Sequence, residues 1–426
     1  MRRLVAVITV LSLVSIIGVA CAPGPTSEPG AEEKRVKVGL VVTFTGPPAS
    51  NTAPMGKGQV DYFQYLNDEF GGIEYKDPLT GKPEKAKLDI EWVDTQYKTT
   101  VAVTAYKRMK DSGVVAIMGT GTDLIDPLSP LCSSDHIVLI GGAGASPSAL
   151  NFSPDPLYYI AAHPTGMELD SIILEWFKAQ WKESRSPRAG YIDMDVPAQR
   201  RLALPGSTVD YAKEIGFEYL HMEWVPFMVT DSNLEVTRMM TKEPDLLIIG
   251  HVVAGQAVIL KDMQRLGLFG TATLAVPNWG FDPSVTNFVG DDMAENLHGN
   301  SVVAMTTEDV PGVKLASRIC QKYQGEGLSL LYEQGFAGSM FLAEGIRIAL
   351  EDVGHESFDG TALRDSLLHI SNFDTGGLTH PITVDPNYPV YNAYSKILVI
   401  KGGKTEVVTD WLKAPKVRVG LPERFQ

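Results

Sequence analysis

The sequence predicts an α/β protein built from two doubly wound parallel-sheet lobes. Three observations carry this. The chain has 426 residues, more than one ordinary core accommodates, and it is 44% hydrophobic, enough to fill two cores. Apolar runs of strand length alternate with segments at helical spacing along the whole body. The alternation pauses after "YYIAAHPTG" (residues 158–166) and then restarts with a similar layout.

The elements follow in order. "VKVGLVVTF" is a strand of the continuous apolar type found in parallel sheets. A Gly/Pro/Ser loop precedes "GKGQVDYFQYLNDEFGGI". There Val60, Phe63, Leu66 and Phe70 recur at helical spacing, and Gly71 and Gly72 stop the helix. "YKDPLTGKPEKAKL" (Tyr75–Leu88) is a polar, hairpin-like surface excursion. "KLDIEWVDT" is a strand, and "TTVAVTAYKRMKDSG" a helix capped by threonine and stopped by glycine. "VVAIMGTGT" is a strand, "DPLSPLCSSD" a short helix, and "IVLIGGAGAS" a strand that runs into Pro147 and a helix start.

The second half repeats the scheme. "MELDSIILEWFKAQW", "STVDYAKEIG", "NLEVTRMMTKEP" and "AGQAVILKDMQRLG" are helical. They alternate with the strands "RAGYIDMD", "FEYLHMEWVP", "DLLIIGHV" and "TATLAVPNWG". "LHGNSVVAMT" is a crossing segment. The helices "PGVKLASRICQKYQG", "FAGSMFLAEGIRIALEDVG" and "TALRDSLLHI" follow, and "THPITVD" with "YSKILVIKGG" forms a closing β region.

Residues 1–20 read as an export signal. Arg2 and Arg3 are its basic start, Leu4–Val19 its apolar stretch, and Ala20 a small residue at the cleavage point. With Cys21 directly after it, in "IIGVAC", the segment resembles a bacterial lipoprotein signal, although Gly18 stands where that pattern usually has Leu. The resemblance implies a lipidated Cys21. Residues 21–35, rich in Pro, Gly, Ser and Glu, read as a disordered tether.

The formal charge is −14, and the body has no basic cluster, which excludes nucleic acid and anionic lipid as partners. Cys132 and Cys320 sit in helical stretches and are expected as separate buried thiols. "MGTGTD" and "GGAGAS" lack the Lys-Ser/Thr ending of a P-loop and do not fit a dinucleotide fingerprint. There is no G-x-S-x-G, no H-E-x-x-H and no zinc spacing, so neither an enzyme nor a cofactor is indicated. Asp193-x-Asp195 reads either as a hard-cation site or as a strand end whose aspartates cap backbone groups. What remains is a site that holds a ligand beyond the carboxyl ends of strands.

The runs "VKVGLVVTFTGPPASN", "DSGVVAIMGTGT", "HIVLIGGAGASP", "EPDLLIIGHVVAGQAVILKDMQRLGL" and "FDTGGLTHPITVDPN", in this order, resemble substrate-binding proteins of branched-chain-amino-acid-type ABC importers. The likeness covers about residues 36–405. It implies the type I periplasmic-binding fold, with two lobes joined by three crossovers. Lobe 1 is expected at 36–162 plus 302–377, and lobe 2 at 163–301 plus 378–426. Hinges are expected near Ala161–Pro164, Asn300–Val303 and Thr375–Thr379. The resemblance further implies a monomeric receptor outside the cytoplasmic membrane that delivers a small solute to a membrane permease. The alternative is a ligand-sensing receptor of the same fold acting on a signalling partner.

By the same resemblance, a solute carboxylate is held at the lobe 1 strand exits, here Thr120, Gly121, Thr122 and Asp123, and Ala143, Gly144, Ala145 and Ser146. Small side chains there either expose backbone N–H groups or only permit tight packing. Ser50, Asn51 and Thr52 fall where the family lines the cleft. His251, Asn278 and Trp279 are the lobe 2 candidates, Trp279 as a stacking wall or as core filler. Asn278 and Trp279 stand where amino-acid-binding members carry a carboxylate for the ammonium, so a carboxylate solute without an α-ammonium fits better. Tyr332 edges the site, and Glu333 is expected as an exposed acid in the first turn of a helix.

Overall fold

The computed structural model describes residues 33–418, 421 and 423–425; Cys21, the export signal and most of the tether lie outside the described residues. From Lys34 on the chain forms one contact unit.

The first sheet contains β1 (Arg35–Val42), β2 (Ile73–Lys76), β3 (Pro83–Asp94), β4 (Ala116–Gly119), β5 (Val138–Gly144) and β6 (Tyr159–His163), in the order β2-β3-β1-β4-β5-β6. All neighbours are parallel except the β2–β3 hairpin, the polar excursion seen in the sequence. The second sheet contains β7 (Arg188–Met194), β8 (Glu218–Val225), β9 (Leu246–Gly250), β10 (Thr273–Val276), β11 (His298–Ser301), β12 (Tyr394–Lys401), β13 (Lys404–Val407) and β14 (Leu412–Lys413). Its order is β13-β12-β11-β10-β9-β7-β8, with β14 on β12; β7 to β11 pair in parallel and β12 closes the edge antiparallel.

Helices cover both faces of each sheet, as continuous apolar strands require. The first lobe carries α1 (Ala49–Phe70), α2 (Thr99–Ser112), α3 (Thr122–Asp135) and α4 (Pro147–Phe152). The second carries α5 (Gly166–Gln180), α6 (Pro197–Arg200), α7 (Thr208–Glu214), α8 (Asn233–Met240), α9 (Val253–Arg265), α10 (Thr286–Val289) and α11 (Asp291–Ala294). Then come α12 (Pro311–Gln324), α13 (Leu330–Val353) and α14 (Gly360–Leu368). Val36, Val38, Leu40 and Val42 pack on Phe341, Leu342 and Leu363 of α13 and α14, while Val41 and Ile117 pack on Tyr106 and Met109 of α2.

Local signals explain several ends. Gly71 takes the left-handed conformation; its N–H reaches Asn67 O and the Gly72 N–H reaches Leu66 O, closing α1. Thr165 and Glu168 form a complete capping box on α5. Other expectations need correction. The helix read from Gly56 starts at Ala49, so Ser50, Asn51 and Thr52 sit in its first turns and not in a loop. The expected threonine cap of α2 is absent, because the cap position is Lys98. "THPITVD" forms no strand, only the isolated bridges Phe373–Ile382 and Asp385–Tyr388.

The chain leaves the first sheet after β6 and returns after β11. It does not change sheets for the last time at Thr375–Thr379. Residues 389–391 still run along Ala161 of β6, and the second sheet is entered only at Tyr394. Thr375–Thr379 instead forms a hydroxyl-bonded turn against the start of α12, with Gly312 N–H on Gly376 O.

Candidate functional site

Parallel register brings the strand exits together. Gly119 at the end of β4 pairs with Gly141 of β5, so Thr120 and Gly142 lie side by side. In the second lobe Asp193 of β7 pairs with Gly250 of β9. Between the two sets of strand ends lies a cavity of about 300 Å³. Of the residues singled out in the sequence, Asn51, Thr52, Thr120, Gly121, Thr122, Gly144, Ala145, Ser146, Asn278 and Trp279 line it.

Ser50, His251 and Tyr332 are not among the lining residues. Ser50 is exposed and its hydroxyl supports Asn51 Oδ1 at 3.0 Å. His251 is buried behind Phe227, with the rings stacked at 6.3 Å, and Nε2 donates to Pro226 O at 3.3 Å. Tyr332 turns toward α1 and donates to Asp61 Oδ2 at 3.0 Å. Asp123 falls in the first turn of α3 and Ala143 in β5; their side chains lie outside the described residues.

The small-residue exit serves close packing. A Cβ on Gly142 would stand 2.7 Å from Gly119 O, and one on Gly144 would stand 2.6 Å from Pro164 O. Two of the expected backbone donors are spent. Ala145 N–H goes to His163 O at 2.9 Å, and Ser146 N–H to Tyr159 Oη at 3.3 Å. The physical reason is that β5 stays paired with β6 to its last residue, through a bulge between Gly141 and Gly144.

Side chains supply the free donors instead. Thr120 Oγ1 and Trp279 Nε1 are buried and have no partner. Arg201, just after α6, also lines the cavity, and its Nη2 donates to Ser148 Oγ at 2.6 Å. Asp126, the carboxylate of the lobe 1 wall, accepts from the Ser146 hydroxyl. The apolar lining includes Met55, Met167, Met194, Leu202 and Phe227. Sequence reading missed Arg201, Tyr97, Phe227, Gln199 and Gln334. The only signal for Arg201 was the Arg200-Arg201 pair in the loop after β7.

The lobes touch around the cavity. Asn51 Nδ2 donates to Trp279 O at 2.5 Å, and Tyr97 stacks on Phe227 at 6.5 Å. Asn278 lines the cavity, but its amide is fully committed. Nδ2 donates to Gln334 Oε1 (3.2 Å) and His163 Nε2 (3.4 Å), while Oδ1 accepts from Val302 N (3.1 Å) and Gln334 Nε2 (3.3 Å). Burial lowers the pKa of His163 to about 4, so its ring is neutral. With the proton on Nδ1 it donates to Pro164 O at 3.1 Å and leaves Nε2 to accept from Asn278.

Behind the lobe 2 wall, Gln199 Nε2 donates to both oxygens of Asp193, at 3.2 and 3.3 Å. Met194 N–H adds a third bond at 2.7 Å, which matches the backbone-capping reading of this aspartate, whereas Asp195 pairs with Arg200. Burial pushes Asp193 up to about 8. Asp170 is fully buried with both oxygens unpartnered, and burial followed by the Asp193 charge lifts it well above the carboxylate range. Folded-state values above the unfolded ones make this stability fully present below the unfolded pKa and progressively lost as pH rises toward 8. Asp170→Asn is therefore expected to gain on wild type as pH rises above the ordinary carboxylate range, by up to about 1.4 kcal/mol per pH unit. Thermal melts across that rise check it; parallel curves would show that Asp170 is not held neutral.

Glu333 is in the first turn of α13 as expected, but it is buried with both oxygens unpartnered, and burial with the Asp282 charge raises its pKa well above normal. The correction arises because residues 277–282 of the other lobe cover this turn: the backbone N–H groups of Leu330 and Leu331 meet Asp282. Cys132 and Cys320 are free buried thiols. Among the described residues no helix is long and apolar enough to cross a membrane, and no group of three or more His, Cys, Asp or Glu could hold a metal.

The family profile described as periplasmic binding protein matches residues 35–399. No curated protein sequence matches the chain. Three solved structures share the fold. A valine-bound branched-chain amino acid ABC transporter protein from Thermus thermophilus is 19% identical, with 91% of this chain and 99% of that chain covered at a TM-score of 0.77. A fatty acid ABC transporter substrate-binding protein from Thermomonospora curvata is 16% identical (93% and 98% covered, TM-score 0.75). A solute-binding protein of an ABC transporter from Rhodopseudomonas palustris, in complex with 3,4-dihydroxybenzoic acid, is 20% identical (91% and 99% covered, TM-score 0.71). The two sheets, the cavity between their strand ends and the match over residues 35–399 lead to one conclusion: the chain belongs to the periplasmic binding protein family.

Proposed function

We propose that this protein is an extracytoplasmic receptor that closes on a small carboxylate-bearing solute and delivers it to the permease of an ABC importer. The observation that carries the reading is a cavity bounded by both lobes, among whose lining residues Thr120 and Trp279 carry buried donor atoms, Oγ1 and Nε1, without partners. Donors without partners suit a solute rich in acceptors. Among the described residues no lobe 2 carboxylate lines the cavity, since Asp193 lies behind Gln199, so an α-ammonium would find no counter-charge on the side where amino-acid-binding members carry one. The acids named for two of the neighbours, a fatty acid and 3,4-dihydroxybenzoic acid, are of the class this lining favours.

The lobes bend about the β6 exit and Asn300–Val303, and a solute that touches both lobes favours the closed arrangement. The body is a monomer, tethered by residues 21–35 to a lipid on Cys21. Cys21→Ser is expected to move the protein from the membrane to the soluble fraction; unchanged membrane retention would remove the anchor from the proposal. Native mass spectrometry for a retained solute tests the receptor role. Calorimetry against leucine, glutamate and a set of aromatic and aliphatic acids tests the carboxylate reading. Leucine binding as tight as the best acid would overturn it.

A further inference from the structure

We propose that Arg201 is the anion receptor of this cavity, so that the solute is an apolar monocarboxylate whose charge is gripped from the second lobe. This rests on the reading of the cavity as a solute site.

Arg201 differs from its neighbours in charge pairing. Arg200 holds Asp195 through two bonds of 2.5 and 2.7 Å, and Arg185 holds Asp245 through two of 2.6 and 2.8 Å. Among the described residues Arg201 makes no ion pair; its side-chain bond is the one to Ser148 Oγ. A guanidinium presents five N–H donors in a planar fork that fits a carboxylate through two parallel bonds. Here the fork borders a cavity walled by Met167, Met194 and Leu202. A cation facing such a wall is poorly compensated by one neutral hydroxyl, and a counter-charge arriving with the solute would satisfy it. Asp126 lines the same cavity and accepts from Ser146, but among the described residues no ion pair joins it to Arg201.

The bond to Ser148 also matters mechanically. Ser148 belongs to α4 of the first lobe and Arg201 to the second, so the guanidinium already reaches across the cleft. A carboxylate seated beside Ser148 and Arg201 would touch both lobes at one point. Trp279 Nε1 and Thr120 Oγ1 remain as donors for further acceptor atoms of the solute. Charge would then contribute to closure itself, through a contact that forms only when the lobes are together.

Calorimetry with benzoate, phenylacetate, 4-hydroxybenzoate and hexanoate, each against its neutral amide, provides the test, with leucine as the ammonium-bearing comparison. Wild type is expected to prefer the best acid over its amide by about tenfold or more, the scale of one charge-assisted contact. Arg201→Met should abolish that preference by weakening the acid to the level of the amide while leaving the amide unchanged. Arg201→Lys should retain part of it. Ser148→Ala, which removes the cross-lobe hydroxyl without touching the charge, should keep the preference. Equal weakening of acid and amide in Arg201→Met would overturn the inference and leave Arg201 as a lobe contact, with the carboxylate reading intact. A wild type that binds leucine or the amides at least as well as every acid, or binds no acid at all, would overturn both. Circular dichroism of each variant separates these results from loss of fold.

Discussion

Glu168→Ala is expected to cost about 3–5 kcal/mol of folding stability, the scale for breaking a buried ion pair by removing one partner. Glu168 is 1% exposed and its carboxylate is shared by four donors. Arg418 Nε donates to Oε1 at 2.9 Å; Tyr388 Oη (2.6 Å), Thr165 N (3.1 Å) and Thr165 Oγ1 (3.1 Å) donate to Oε2. Alanine would strip α5 of half its capping box and leave the Arg418 charge against the Tyr388 ring, only 3.6 Å from its centroid. Urea unfolding followed by circular dichroism measures the loss. Glu168→Gln keeps the volume and can keep the bond to the Thr165 backbone, so it should fall between the two. Adding Arg418→Met to Glu168→Gln should recover stability by removing the stranded cation. A Glu168→Ala loss below about 1 kcal/mol, the range of exposed pairs, would show that the cluster is solvated.

Gly335→Ala is expected to damage stability and solute affinity together. A Cβ at Gly335 would stand 1.9 Å from Met55 O, and one at Gly58 would stand 2.2 Å from Tyr332 O. Helices α1 and α13 thus touch backbone to backbone, and no side chain is available to move aside. Overpacking of this kind costs roughly 1–3 kcal/mol, more where the backbone must shift. Met55 is also part of the cavity wall, so a displaced α1 would distort the site. Gly338→Ala on the same helix is the control. Its Cβ would meet Tyr391 Oη at 3.1 Å and Met118 Cε at 3.3 Å, the ends of side chains that can give way. Melting temperatures and calorimetry on the pair check this. Equal losses in both variants would show that α1 and α13 can part without penalty.

Much of the architecture was legible because its signals are local. Continuous apolar strands, helical spacing and the Gly71 and Gly113 stops all act within a few residues. The site was legible only in part. Thr120 and Ala145 were singled out by the family resemblance, in keeping with a rule about strand exits. That Ala145 N–H is already spent on His163 depends on how far β5 pairs with β6, which no local pattern carries. Arg201 was missed because its meaning comes from Ser148, 53 residues earlier in the chain. Glu333 misled for the same reason: its helix turn looks exposed until the loop after β10 is laid over it. Asn278 and Gln334 are ordinary polar residues in the sequence, and only the fold turns their amides into a reciprocal pair.

The first core is assembled from distant parts of the chain, and this bears on the order in which the protein acquires its shape. Val36–Val42 and Ala116–Met118 are covered by Phe341, Leu342 and Ile346, by Leu363 and Leu367, and finally by Ile382 and Tyr391. The other face of the same sheet is finished by Tyr388, Val390, Leu421 and Phe425. Residues made first therefore wait for those made last, and about three hundred residues of loop must close before the N-terminal strands lose their exposure to water. The second lobe's parallel strands all lie between Arg188 and Ser301, so they pair with one another without that wait, although their core too is completed by residues from Val313 to Ile400. The emerging chain should accordingly hold the later lobe's sheet before the earlier one is complete, keeping its first third open to chaperones while synthesis proceeds.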